Sequence, residues 1–432
     1  MKFAFIGTYP PQKCGIGTFT HNLIQSIADN LGYANIFPNF YVIAVDDSGN
    51  KYKYPSEVSF VVNQDIQRDY VSAANFINYN KADVCILEHE FGIFGGESGV
   101  YILSLINRIE IPLIVTLHTV IREPTGIQRI IVKELSKKAF KIVVMSKKAV
   151  KFLVEIYNIP EEKIEIIEHG VPVGKVFHRD TSRDKFNFSN KTALFTFGLL
   201  SRNKGIETVI KALSKVVEKH KNIIYVVLGN THPKVLSRYG EEYREYLLRL
   251  VNEYGLEDYI YFYKSFVPEE LLMEYLCATD IYITPYLNEE QITSGTLSYA
   301  VGAGTAVIST PYWHAEELLE DGRGMLFDFN NHEQLGDILL DLLDNREKIE
   351  KLREAASEYG HKLKWPKIGE KYISVARMAV ENISLNRENK HTILNPYLFP
   401  NFTLANAKVL TDDTEIVQNA KHGIPGLRVG RF

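Results

Sequence analysis

Residues 281–317 read IYITPYLNEEQITSGTLSYAVGAGTAVISTPYWHAEE. The runs IYITPY and AVIST are short, apolar and rich in β-branched and aromatic residues, as expected of strands buried on both faces. Between them a polar loop leads into GTLSYAVGAG, where Ala300, Gly302, Ala303 and Gly304 let a helix lie close on the strands. The stretch is a βαβ unit with its polar loop at the carboxyl end of a parallel strand, the edge at which open α/β sheets bind ligands. Thr293, Ser294, Gly295 and Thr296 stand at the helix start, where unpaired N–H groups and the positive dipole end suit a phosphate. Gly295 lets the backbone approach the phosphate oxygens. An ordinary turn with an N-cap serine accounts for the same residues, so the stretch alone does not choose.

Outward from this unit, ALFTFG, NIIYVVLGN and YIYFYKSF precede it and DGRGMLFDF follows, with helical segments between them. The first half repeats the pattern in KFAFIG, FYVIAV, VSFVV, DVCILEHEF, PLIVTLHT, KIVVMS and KIEIIEHGV. Such alternation predicts an α/β fold with a doubly wound parallel sheet in each half. Polar residues end several strands: His89 and Glu90, His118, Ser146, and His169 with Gly170. Residues 173–190 lose apolar periodicity and gain charge, which reads as a linker. The expected domains are 1–172 and 191–365. An amphipathic helix at about 366–385, after the turn at Trp365-Pro366, is placed to return to the first domain. Residues 386–432 lack a period and read as an extended tail.

The length of 432 residues, 45% of them hydrophobic, suits two domains. A net charge of −4 makes no case for nucleic-acid binding. Three well-separated cysteines form neither a disulfide framework nor a CxxC metal site. The chain opens on a strand, without a signal-like leader, and no apolar run approaches a membrane span, so the expected setting is cytoplasmic. Gly15 and Gly17 precede the first helix in the arrangement that brings N–H groups to an anion or a sugar hydroxyl. The loop is not GxGxxG, which disfavours a dinucleotide enzyme.

In order and spacing, the motifs GIGTF, HEFGIFGG at 89–96, TLHT with His118, EHGV at 168–171, GLLSRNKGIE at 198–207, VLGNTHP at 227–233 and GAGTAVIST at 302–310 resemble glycosyltransferase family 4. The resemblance covers roughly residues 1–385 and implies a GT-B fold, two Rossmann-like domains facing across a cleft. It implies transfer of a hexose from a nucleotide diphosphate sugar, of GDP-mannose or UDP-glucose type, to a sugar or glycan acceptor with retention. No cofactor and no essential metal are implied. The leaving diphosphate gathers negative charge and needs fixed cations and N–H dipoles.

Lys204 matches the family's phosphate lysine, and Arg202 lies near enough to help. Both are also explained as a solvated helix start, although cations there oppose the dipole and need another reason. Two glutamates that the family often carries, for sugar hydroxyls and for the ribose, fall on Gln291 and Tyr299. A one-residue bulge brings Glu290 into reach instead. A tyrosine cannot chelate a diol as a carboxylate does. His118 is assigned sugar-hydroxyl contact and charge stabilisation. Asn230 and His232 are expected near the phosphates or the nucleotide. His314, Glu316 and Glu317 suit either the base and ribose or a helix cap.

His89, Glu90, Gly95 and Gly96 are candidates for the acceptor side, or form a glycine-bearing turn. Lys133, Lys137, Lys138, Lys141, Lys147, Lys148 and Lys151 give a basic face, read either as weak contact with an anionic membrane or as a solvated surface. The run LTDDTEIVQNAKHGIP is similar to one that introduces an extra domain in longer relatives, so the tail is expected to be a stub of it. Two further readings remain: a catalytically silent nucleotide-sugar binder, favoured by the missing glutamates, and a nucleotide-sugar epimerase of the same fold.

Overall fold

The computed structural model describes residues 1–33, 39–47, 52–173 and 177–393, with side chains to residue 382. Two compact units form, one from Met1–Glu168 with the chain from Ile368, the other from His169–Lys367.

In the first unit the strands are β1 (Phe3–Gly7), β2 (Phe40–Asp46), β3 (Val58–Asn63), β4 (Val84–His89), β5 (Leu113–Leu117), β6 (Lys141–Val144) and β7 (Ile164–Ile166). They form one sheet of order β3-β2-β1-β4-β5-β6-β7, every pair parallel. β1, β2, β4 and β5 are buried along their whole length, which explains why they are so largely apolar. The strand order reverses between β1 and β4, so the loops after them open a crevice at the carboxyl edge. The helix Trp365–Ile393 contributes buried Ile368, Tyr372, Val375, Ala376 and Ala379 to this unit. A Cβ on Gly369 would sit 2.2 Å from Ser26 Oγ, so only glycine permits this approach to the helix Gly15–Asn30. The helix outruns its predicted limit, and residues 394–432 of the expected tail lie outside the described residues.

The second unit contains β8 (Thr192–Phe197), β9 (Ile223–Leu228), β10 (Ile260–Tyr263), β11 (Ile281–Thr284), β12 (Ala306–Ser309) and β13 (Met325–Leu326), again all parallel, in the order β10-β9-β8-β11-β12-β13. Side chains alternate between two cores. Leu194, Tyr225, Val227, Ile281, Ile283 and Ile308 join one; Phe195, Ile224, Val226, Tyr282 and Val307 join the other. The order reverses between β8 and β11, which places the ligand edge at the loops after those two strands.

The stretch predicted as a linker is not free chain. It holds the helix Arg179–Lys185, whose Arg179 Nη2 and Arg183 Nη1 donate to the Asp280 carboxylate at 2.5 and 2.8 Å. Its charges looked solvated only because their partner lies near residue 280. Among the described residues no helix is long and apolar enough to cross a membrane.

Candidate functional site

At the reversal point of the second unit three loops converge. After β8 a short 3-10 turn, Arg202–Lys204, ends at Gly205. Gly205 has φ +59°, and a Cβ there would lie 2.0 Å from the Pro285 carbonyl oxygen, so only glycine fits. Leu287 N–H donates to Asn203 O at 3.0 Å and ties this loop to the one after β11. As a result Lys204 Nζ stands 3.7 Å from the centre of the Tyr286 ring.

The helix Gly295–Gly302 begins beside this pair. Ser294 caps it, accepting from Leu297 N–H at 3.4 Å. Ser294 N–H is itself taken by His314 Nδ1 at 2.9 Å, which leaves the Gly295 and Thr296 N–H groups of the first turn for a ligand. Thr296 Oγ1 lies 2.7 Å from Tyr286 Oη and 3.2 Å from Ser294 Oγ. Burial raises the Tyr286 phenol, but the Lys204 ammonium and hydrogen bonds from Lys204, Thr296 and Ser294 outweigh it and hold the group below its ordinary value. One cation, three hydroxyls and a helix N-terminus therefore lie together at this edge of the sheet. That combination suits a phosphoryl anion.

In the first unit, His118 follows β5 and its Nε2 lies 2.8 Å from Glu88 Oε2. Thr116 Oγ1 donates to Glu88 Oε1 at 3.4 Å and lies 2.9 Å from Tyr372 Oη. Gly15 opens the helix after β1 with open space where a Cβ would stand, whereas a Cβ on Gly17 would touch the Thr8-Tyr9 backbone at about 3.4 Å.

The chain matches the family description "Glycosyltransferase Family 4" over residues 15–175 and "Glycosyl transferases group 1" over residues 178–362. The chain belongs to glycosyltransferase family 4. It is 31% identical over 216 residues to the uncharacterized glycosyltransferase MJ1069 of Methanocaldococcus jannaschii, a match spanning 49% of this chain and 52% of that protein. This chain thus spans about half the length of that relative. It is 24% identical over 302 residues to the D-inositol 3-phosphate glycosyltransferase of Corynebacterium glutamicum, covering 65% of this chain and 70% of the other. Among solved structures, that of Anabaena Alr3699/HepE in complex with UDP superposes with a TM-score of 0.69 at 15% identity, covering 88% of this chain and all of that one. The fold is of GT-B type, two Rossmann-like units.

Several family positions look different once side chains are in place. Gln291 is turned back on its own loop, Nε2 donating to the Thr293 carbonyl at 3.2 Å. Beside it, Glu290 N–H donates to Asn288 Oδ1 at 3.1 Å in a local turn. Tyr299 is buried and its hydroxyl donates to Glu269 Oε2 at 2.7 Å. A carboxylate thus stands beside Tyr299 after all, delivered by the helix Glu269–Ala278. No motif signalled it, because the two residues are 30 apart in sequence.

Arg202 donates to Glu242 on the surface, with side chains 65% and 54% exposed, and so stands apart from Lys204 in role. Its loss changes stability by under about 1 kcal/mol and transfer by under about tenfold, to be read from the Tm and kcat/KM of Arg202→Ala. Asn230 accepts from Leu200 N–H at 2.8 Å through its carbonyl, linking the β8 and β9 loops. His232 caps the next helix by accepting from Lys234 N–H at 3.2 Å. Glu317 offers its carbonyl to Arg323, and Glu316 is exposed.

On the acceptor side, His89 is fully buried between Phe91 and Phe94, and neither ring nitrogen has a hydrogen-bond partner among the described residues. It presents no atom to an acceptor here. Glu90 caps the following 3-10 turn through Phe91 N–H at 2.9 Å and accepts from Thr119. Gly95 and Gly96 are packing glycines: a Cβ would lie 1.9 Å from Gln64 O at the first and 2.8 Å from Tyr101 at the second. The glycine-bearing turn describes this stretch. On the basic face, Lys137 pairs with Glu134 at 2.6 Å and Lys141 with Glu165 at 3.6 Å, which neutralises part of it. Among the described residues no three His, Cys, Asp or Glu side chains are grouped as a metal site.

Burial holds the imidazoles of His314 and His89 down at about 3, with neighbouring His169 and His118 adding to it. Between that value and about 6.5 the unfolded chain binds protons the folded chain refuses, so stability present above pH 6.5 is lost as pH falls. A fall from pH 7 to pH 5 costs about 2 kcal/mol for each such histidine. His314→Asn, whose amide oxygen can still accept from Ser294, is expected to reduce the acid slope of Tm against pH by roughly half.

Proposed function

We propose that the chain is a retaining hexosyltransferase that uses a nucleotide diphosphate sugar and a sugar or glycan acceptor. The observation that carries this reading is Lys204 held over Tyr286 beside the Gly295 and Thr296 N–H groups. The bond from the anomeric carbon to the β-phosphate oxygen breaks, and a bond from that carbon to the acceptor oxygen forms on the same face. The acceptor proton passes to the leaving phosphate. Lys204 and the helix N-terminus stabilise the charge that develops there, a role independent of metal. Glu269, placed by Tyr299, supplies the carboxylate for the ribose diol. His118 contacts sugar hydroxyls.

The test is a panel of nucleotide sugars, with uridine and guanosine donors, assayed for hydrolysis and transfer with EDTA present and with Lys204→Ala alongside. Turnover of one donor that survives EDTA and collapses in the variant supports the reading. A second reading, a silent nucleotide-sugar binder, is favoured by Gln291 being engaged with its own loop. Binding of a nucleoside diphosphate without turnover of any donor would select it. Epimer release without acceptor would select the epimerase.

A further inference from the structure

Glu88 is the penultimate residue of β4, after the apolar run Val84, Cys85, Ile86, Leu87, and has no accessible surface. A carboxylate at such a position costs more than an apolar residue of similar size unless it is paired. Its two carboxylate oxygens have separate partners. Oε2 lies 2.8 Å from His118 Nε2, and Oε1 accepts from Thr116, its register partner on β5. Thr116 Oγ1 is in turn 2.9 Å from Tyr372 Oη, on the helix Trp365–Ile393. The His118 main chain is anchored by its N–H to the His89 carbonyl at 3.0 Å, and the Phe19 ring meets the imidazole edge-on at 4.9 Å.

We propose that Glu88 is the positioning residue for His118, fixing which imidazole nitrogen the ring offers to a ligand, with Thr116 and Tyr372 holding Glu88 in place. An ionised carboxylate only accepts, so Nε2 carries its hydrogen in both charge states of the ring. Nδ1 is then the only ring atom left for a ligand: an acceptor when the ring is neutral and a donor when it is charged. Other titratable groups tied to this network are His89, Glu90 and Tyr372. His89 is buried and without a hydrogen bond, Glu90 is occupied by Phe91 N–H and Thr119, and Tyr372 has its hydroxyl on Thr116. None of them competes for Nε2.

The test reads the ring itself, in the full chain labelled with 15N-histidine, by long-range imidazole 15N–1H correlation. Wild type is expected to show the Nε2–H tautomer for neutral His118. In Glu88→Gln that preference is lost, because the amide can donate as well as accept. A wild-type ring in the Nδ1–H tautomer overturns the proposal whether or not any variant folds. An unchanged tautomer in folded Glu88→Gln does so too.

The second arm rests on the transfer reading. Glu88→Gln slows turnover of the donor found in the panel by about tenfold or more, yet has no further effect in a His118→Ala background, because the two residues act as a unit. Equal slowing in both backgrounds would make Glu88 merely structural. If the tautomer is as expected but no donor turns over, the positioning role stands and the transfer reading fails.

Discussion

Lys204→Ala is expected to lower kcat/KM for the donor by about 10²–10³-fold while leaving the fold intact. The ammonium is half-buried on a 3-10 turn, 3.7 Å from the Tyr286 ring centre, so its removal opens no core cavity. What disappears is the fixed positive charge where the leaving diphosphate becomes more negative. Because that charge matters more in the transition state than in the bound donor, the loss falls mainly on kcat. Tyr286→Phe separates the two functions of the ring. It keeps an aromatic face under the ammonium but removes the hydroxyl that meets Thr296 at 2.7 Å, so a smaller loss is expected. Steady-state kinetics with both variants, with calorimetry of nucleoside diphosphate binding, checks this. Wild-type turnover by Lys204→Ala would remove the lysine from the mechanism and the main support for the assignment of this edge.

Asp280→Ala is expected to destabilise the second unit by about 3–5 kcal/mol. The carboxylate, 5% exposed, accepts from Arg179, from Arg183 and from Ala193 N–H at 2.7 Å. Arg183 also donates to the carbonyls of Ala278, Phe188 and Lys191 at 2.9, 2.8 and 2.6 Å. Truncation would leave a guanidinium with a side chain only 11% exposed without its counter-charge, and Ala193 N–H without an acceptor. The helix Arg179–Lys185 would lose its hold on the β8 and β11 edge. A chain of two units need not unfold in one step, so amide exchange of β8 and β11 is the better measure than a single midpoint. Unchanged exchange there would show that the arginine carbonyl contacts suffice alone.

The architecture was legible where burial is complete. IYITPY and AVIST carry no charged residue because β11 and β12 are covered on both sides, and β1 and β5 are buried along their length in the same way. Repetition of that pattern in both halves made two parallel sheets the economical answer. The sequence also singled out Lys204, a cation at a helix start that opposes the dipole, and the structure sets it 3.7 Å from the Tyr286 ring centre. The 173–190 stretch misled because composition reports charge but not pairing: Arg183 and its partner Asp280 are 97 residues apart.

The end of β4 shows what local pattern cannot decide. In ILEHEF both Glu88 and His89 stand near the strand's carboxyl tip, and sequence alone favours the histidine as the ligand-facing group. The structure buries it between Phe91 and Phe94, while Glu88 turns to a histidine that follows the next strand and is steadied from the far end of the chain. Glu269 meets Tyr299 in the same manner. By itself the sequence determined the strands and their parallel pairing in two sheets, because these depend on periodicity. Only the tertiary structure decided which polar side chains meet, because a hydrogen bond forms only within about 3 Å, and strand order, not sequence separation, sets which residues come that close.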